Sequence, residues 1–193
     1  MRVISGTAKG ITLKAVPGMR TRPTSDKVKE AMFSIIGPYF DGGIALDLFA
    51  GTGGLGIEAL SRGLDKAIFV DADKTCVGVI RNNLRAAGFL ERAEVYRNDA
   101  FRALKALAKR QIRFRLVFLD PPYRLRIIEE LTESLQKLGL VEEGSVIVAE
   151  HDAAYACADR IGAAECKKRA EYGDTALSIY RVHRTEQQEE MRS

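Results

Sequence analysis

Ile44-Ala45-Leu46-Asp47-Leu48-Phe49-Ala50-Gly51-Thr52-Gly53-Gly54-Leu55-Gly56 is the stretch whose reading decides the fold. Residues 44–49 form an apolar run suited to a buried strand, residues 50–54 a glycine loop, and residues 55–62 the start of a helical pattern. The glycines permit a tight turn and let a ligand approach the backbone closely. Asp71 lies twenty residues beyond Gly51, at the end of the next predicted strand, where a carboxylate can accept hydrogen bonds from ribose hydroxyls. A dinucleotide-binding enzyme satisfies the same spacing, so the loop alone leaves an NAD-dependent oxidoreductase open.

The strand, loop and helix unit repeats downstream. Strands are predicted over 66–70, 93–97, 114–119 and 145–150, with helices over 74–87, from 100 to about 109, and over 127–138. Near the end, residues 163–170 and 175–182 flank Glu171-Tyr172-Gly173-Asp174, a hairpin signal that forces one strand to run against the parallel ones. The expected fold is therefore α/β, a doubly wound, mostly parallel seven-stranded sheet with an antiparallel C-terminal edge hairpin. Upstream, residues 2–16 read as a short hairpin or extended arm around Gly6 and Gly10. A helix follows Pro23, with Thr24 or Ser25 as its cap and Asp26 in its first turn, and it ends near Gly37-Pro38. The organisation expected is a basic N-terminal extension over 1–40, the α/β domain over 41–184, and a polar tail over 185–193.

Composition narrows the function classes. The chain has 193 residues and a net charge of +4, enough length for one domain with a sizeable core. Residues 1–30 carry seven basic side chains (Arg2, Lys9, Lys14, Arg20, Arg22, Lys27, Lys29) against Asp26 and Glu30, a net of +5 that leaves the remainder at −1. Charge concentrated in this way suits a nucleic-acid-facing arm as well as an ordinary solvated face. Three separated cysteines without metal-site spacing fit a reducing cytoplasm, and no apolar run is long enough to span a membrane. No metal site and no obligate protein partner is evident in the pattern.

Two further motifs favour one chemistry. Asp47 stands inside the first strand, and a second carboxylate beside the loop would repel a pyrophosphate but attract a cation. S-adenosylmethionine carries a sulfonium and an ammonium and no phosphate; its ribose would go to Asp71 and its adenine to the region of Asp99. Asp120-Pro121-Pro122-Tyr123 follows the apolar run over 114–119, and consecutive prolines end the strand there. A carboxylate, a carbonyl-presenting turn and an aromatic ring at a strand's carboxyl end are suited to holding a flat base by its amino group.

Together with Thr21-Arg22-Pro23-Thr24-Ser25-Asp26-Lys27-Val28-Lys29-Glu30, these motifs resemble the class I S-adenosylmethionine-dependent methyltransferases, and within them the RsmD family of bacterial 16S rRNA guanine methyltransferases. The chain departs from the family in having Asp71 where Glu is frequent and Ile11 near a frequent Arg. The resemblance implies transfer of a methyl group to the 2-amino group of a guanine in 16S rRNA, within a small-subunit particle or assembly intermediate, in the cytoplasm. It implies Asp120, Pro121, Pro122 and Tyr123 as catalytic residues, and Asp47, Phe49, Gly51, Thr52, Gly53, Asp71 and Asp99 around the cofactor. Arg2, Lys9, Arg20, Arg22 and Lys27 would face RNA. The family's sheet order places the glycine loop opposite the Asp-Pro-Pro-Tyr loop. A DNA or other RNA amino-methyltransferase, and an RNA-binding assembly factor with a non-catalytic cofactor site, are the alternatives.

Overall fold

A computed structural model describes residues 1–18 and 26–184. Arg20, Arg22, the Thr24 or Ser25 cap and the tail over 185–193 lie outside the described residues. Two compact units divide the chain, residues up to Ala100 and residues from Phe101 onward.

In the first unit, β1 (Ile44–Asp47), β2 (Lys66–Asp71) and β3 (Ala93–Arg97) run parallel in the order β3-β2-β1, with Leu46 beside Ile68 and Phe69 beside Val95. The connections are α2 (Gly54–Ser61) and α3 (Lys74–Ala87), and α1 (Asp26–Ile36) precedes the sheet. α3 buries one stripe, Cys76, Val77, Ile80, Asn83 and Leu84, whereas α2 is buried nearly all round. Asp73 caps α3 by accepting from the Thr75 N–H at 2.6 Å. Gly88 ends the helix at φ 77°, in keeping with its predicted end at residue 87. The first strand stops two residues short of the predicted run, because Leu48 and Phe49 already turn into the loop. Gly56 has a packing reason to be glycine, since a Cβ there would sit 2.3 Å from the Phe69 ring.

Residues 1–13 form a hairpin, with Val3 N–H donating to Ile11 O at 2.9 Å and Gly10 N–H to Val3 O at 2.8 Å. It is packed down on the unit, with Val3, Leu13 and, just beyond, Val16 buried. Glu58 of α2 is fully buried and accepts from the backbone N–H groups of Ile4 (2.9 Å) and Ser5 (3.0 Å). The same carboxylate pairs with Lys29 of α1 at 3.2 Å and Arg62 at 2.9 Å. Burial lowers the Lys29 pKa, against the opposing pull of Glu58. The Lys29 charge counted toward the basic arm is thus neutralised inside the protein.

In the second unit, α4 (Ala100–Ala108) is followed by β4 (Leu116–Leu119), α5 (Ile128–Lys137), β5 (Val146–Asp152), β6 (Arg160–Ile161), β7 (Ala164–Tyr172) and β8 (Thr175–Val182). β4 and β5 are parallel; β8, β7 and β6 follow in antiparallel order. The predicted hairpin turns at Gly173, whose φ of 64° suits the first position of a two-residue turn. The described residues hold eight strands rather than seven. The addition is β6, two residues too short to leave a periodic signal.

Candidate active site

The glycine loop is held from several sides. Gly51 has φ 54° and donates its N–H to Asp71 Oδ2 at 2.8 Å, while Asp71 Oδ1 accepts from Asp73 N–H at 2.9 Å. A short carboxylate at the end of β2 thereby fixes the loop that leaves β1, and each oxygen keeps acceptor capacity for a ligand. Gly53 N–H donates to Ala50 O at 2.6 Å and Gly54 N–H to Thr52 Oγ1 at 3.3 Å. Asn98 at the end of β3 donates its N–H to Asp71 O at 3.1 Å, which brings the exposed Asp99 to the strand end beside Asp71. Phe49 is half-buried in the turn after β1.

Asp47 is only 3% exposed and accepts from Gly56 N–H, in the first turn of α2, at 3.1 Å. Burial pushes its pKa up to about 7, the Gly56 bond opposes this, and the charge of Asp71 adds to it. The glycine loop and the first turn of α2 thus each bond a carboxylate, Asp71 and Asp47 respectively. This arrangement bears on the dinucleotide alternative. A pyrophosphate is bound by unpaired N–H groups at a helix N-terminus, whereas the N–H groups of Gly51, Gly53, Gly54 and Gly56 are all committed within the protein.

In the second unit, Asp120 follows the last residue of the fully buried β4. The chain turns through Pro121 and Pro122 into a 3-10 turn over Tyr123–Leu125, closed by Leu125 N–H on Pro122 O at 2.9 Å. Arg126 then takes a left-handed conformation at φ 49°, which is unusual for a residue with a side chain. Tyr123 is 39% exposed, but its hydroxyl is anchored 3.1 Å from Thr175 Oγ1 and 3.4 Å from Glu150 Oε1. Burial pushes its pKa up to about 12; the Thr175 bond opposes this, and the charges of Glu150 and Asp120 add to it. The side chain is therefore neutral, held at its hydroxyl end, and partly exposed.

Sequence reasoning missed the supports. Asn83 is fully buried and donates from Nδ2 to Thr52 O (2.8 Å) and Lys14 O (3.0 Å), joining the glycine loop, the N-terminal segment and α3. An amide on the apolar stripe of a helix was its legible signal. Thr175 and Glu150 had none until the strand register was known. Of the basic residues expected to face RNA, Lys9 and Lys27 are exposed, and Arg2 is exposed but paired with Asp26 at 3.4 Å. His151 has both ring nitrogens engaged, with Asp152 O at 2.9 Å and Ser178 Oγ at 2.8 Å, a structural arrangement.

Parallel strands carrying a glycine loop, acidic strand ends and an antiparallel C-terminal hairpin give the Rossmann-like fold of the class I methyltransferases. The solved structure of yhhF from Escherichia coli has the same fold, with a TM-score of 0.80 and 29% identity over 95% of this chain and 98% of that one. YlbH of Bacillus subtilis (strain 168), whose name carries a provisional assignment as an rRNA methyltransferase, is 51% identical over 94% of this chain and 98% of its own. Ribosomal RNA small subunit methyltransferase D of Haemophilus influenzae is 35% identical over 78% of each chain. A model of the family described as conserved hypothetical protein 95 matches residues 1–181. The chain belongs to that family, the family of the small-subunit rRNA methyltransferases D. Among the described residues, no helix is long and apolar enough to cross a membrane.

Proposed function

We propose that the protein is an S-adenosylmethionine-dependent methyltransferase acting on the exocyclic 2-amino group of a guanine in 16S rRNA, in the cytoplasm and within a small-subunit particle or assembly intermediate. The observation that carries the cofactor assignment is the commitment of the glycine-loop N–H groups beside Asp47 and Asp71. That environment suits a ribose and a cation and disfavours a pyrophosphate. Asp71 would hold the ribose, Asp47 would supply negative charge beside Gly51, Thr52 and Gly53, and Asp99 would lie toward the adenine. When bound, the cofactor supplies a methyl group on a sulfonium, an electrophile that needs no metal.

The second unit's loop supplies orientation. An aromatic amine is a poor nucleophile because its lone pair is delocalised into the ring. The Asp120 carboxylate and the Pro121 carbonyl each accept one of its N–H bonds, which favours a pyramidal nitrogen with its lone pair directed outward. Pro122 fixes the turn. Tyr123 stacks on the base, an interaction worth about 1–3 kcal/mol. The proton released from the methylated amine passes to Asp120 or to water. Lys9, Lys27 and Arg2 contribute to holding the RNA backbone.

The test is transfer of labelled methyl from S-adenosylmethionine to undermodified small-subunit particles, beside naked rRNA, large-subunit RNA and DNA, with the modified nucleoside then identified. The expected result is label on one guanine of the small-subunit RNA. Label on DNA or another RNA would keep the chemistry and overturn the substrate. No label despite cofactor binding would overturn the enzymatic reading in favour of an RNA-binding assembly factor.

A further inference from the structure

The second unit holds a carboxylate that the proposed reaction does not use. Parallel pairing of β4 with β5 sets Leu119 beside Ala149, so the next residue along each strand is Asp120 on one and Glu150 on the other. Glu150 is 8% exposed and lies 3.4 Å from the Tyr123 hydroxyl. It lines a small cleft together with Pro121, Pro122, Tyr123, Arg126 and His151. His151 is bonded through both nitrogens, and the Arg126 guanidinium lies 5.6 Å from the centre of the Tyr155 ring. Glu150 brings a negative charge to the same strand-end region as Asp120, at the edge of the surface where Tyr123 presents its ring.

The bases differ in what stands next to the exocyclic amine. In guanine the 2-amino group adjoins a ring N1–H, so two neighbouring positions donate. In adenine and cytosine the amine adjoins a ring nitrogen that accepts. A site with one carboxylate for the amine and a second beside it matches guanine at both positions, and it sets charge against a lone pair for the other two. We propose that Glu150 accepts the ring N1–H of the target guanine and selects guanine over adenine and cytosine. This rests on the function proposed above, and it gives that function's base preference a cause in this chain's own residues.

Two side-by-side rate measurements on small-subunit particles test it, using either guanine or 2-aminopurine at the nucleotide found labelled. 2-Aminopurine keeps the 2-amino group but has an acceptor at N1. The wild-type protein should favour guanine by about a hundredfold in kcat/KM, the loss expected when a buried charged acceptor faces a lone pair. Glu150→Gln keeps an acceptor for the Tyr123 hydroxyl and offers an amide donor to N1, so it should narrow that preference by about tenfold or more. If Glu150 only holds Tyr123 in place, both substrates will slow together and the ratio will stay fixed, which overturns the proposal. Equal wild-type rates on the two bases overturn it without any variant. Transfer to neither base by the wild-type protein would instead overturn the underlying function, so the two failures are distinguishable.

Discussion

The glycine loop after β1 and the Asp-Pro-Pro-Tyr loop after β4 both leave the carboxyl end of a parallel strand, yet they are finished to different degrees. In the first, the Gly51 and Gly56 N–H groups donate to the Asp71 and Asp47 carboxylates, and the Asn83 amide donates to the Thr52 carbonyl. In the second, Tyr123 and Leu125 are 39% and 45% exposed, and Arg126 stands in a left-handed conformation. On the function proposed above, a small flexible cofactor meets a cradle whose shape exists beforehand, and a base presented by a large RNA meets a surface that the RNA helps to complete. The contrast implies that damage to the first unit registers as lost stability, and damage to the second as lost rate.

The largest expected effect on stability comes from Glu58→Ala. It leaves Lys29 and Arg62 buried without their anion and removes the acceptor for the Ile4 and Ser5 N–H groups. Breaking a buried pair in this way costs about 3–5 kcal/mol. Chemical denaturation should show the loss, and an unchanged midpoint would mean that the N-terminal hairpin is not held by this carboxylate. Asp120→Ala is the counterpart in the second unit. Turnover should fall by about a hundredfold or more while cofactor affinity and denaturation midpoint stay near wild type, as for removal of one positioned polar group. Unchanged turnover would remove Asp120 from the mechanism.

The two regions also differ in how far sequence exposes them. The order of strands and helices, the Gly88 helix stop and the Gly173 hairpin follow from local chemistry, because periodicity and left-handed positions are properties of short segments. The spacing from Gly51 to Asp71 is legible for a similar reason, since one strand, one loop and one helix fix it. Asp47 illustrates the limit. Its type and position are visible, but its engagement with Gly56 depends on how α2 sits over the strand. Lys29 counts as a surface charge in any linear tally and is in fact buried, because its partner Glu58 stands 29 residues away. Glu150 and Thr175 meet Tyr123 only through strand pairing, and pairing is a property of the assembled sheet.

Asp47 sharpens the contrast through pH. A carboxyl whose folded pKa, about 7, lies above its unfolded value binds its proton more tightly in the native protein. Its contribution to stability is therefore lost as pH rises from the ordinary aspartate range toward 7. Between about pH 5 and pH 7 the ligand-free protein should lose about 2 kcal/mol on this account, and Asp47→Asn should lack that slope. Denaturation curves for both proteins across the range measure it; parallel curves would show that Asp47 titrates normally. On the proposed cofactor reading, a bound cation restores the ionised form, so affinity should rise with pH over the same interval.

If Lys9 and Lys27 hold RNA as proposed, reversing their charge should flatten the salt dependence of binding, by about one unit of slope for each phosphate that is no longer neutralised. The methyl-transfer rate at saturating RNA should be unaffected. An unaltered slope would assign both residues to an ordinary solvated surface.

The smallest expected effect tests the finish of the second loop most finely. Tyr123→Phe keeps the ring and removes the hydroxyl that meets Thr175 and Glu150. A net hydrogen-bond contribution of about 0.5–1.5 kcal/mol corresponds to a decrease in turnover of about two- to tenfold, provided the anchored ring is the one that stacks. Tyr123→Ala removes the ring as well and should fall well below the Phe variant. Equal activity of the two variants would argue against stacking. A Phe variant as fast as wild type would show that the incoming base, rather than Thr175 and Glu150, sets the ring's position. The surface would then be completed by the RNA even more fully than its exposure suggests.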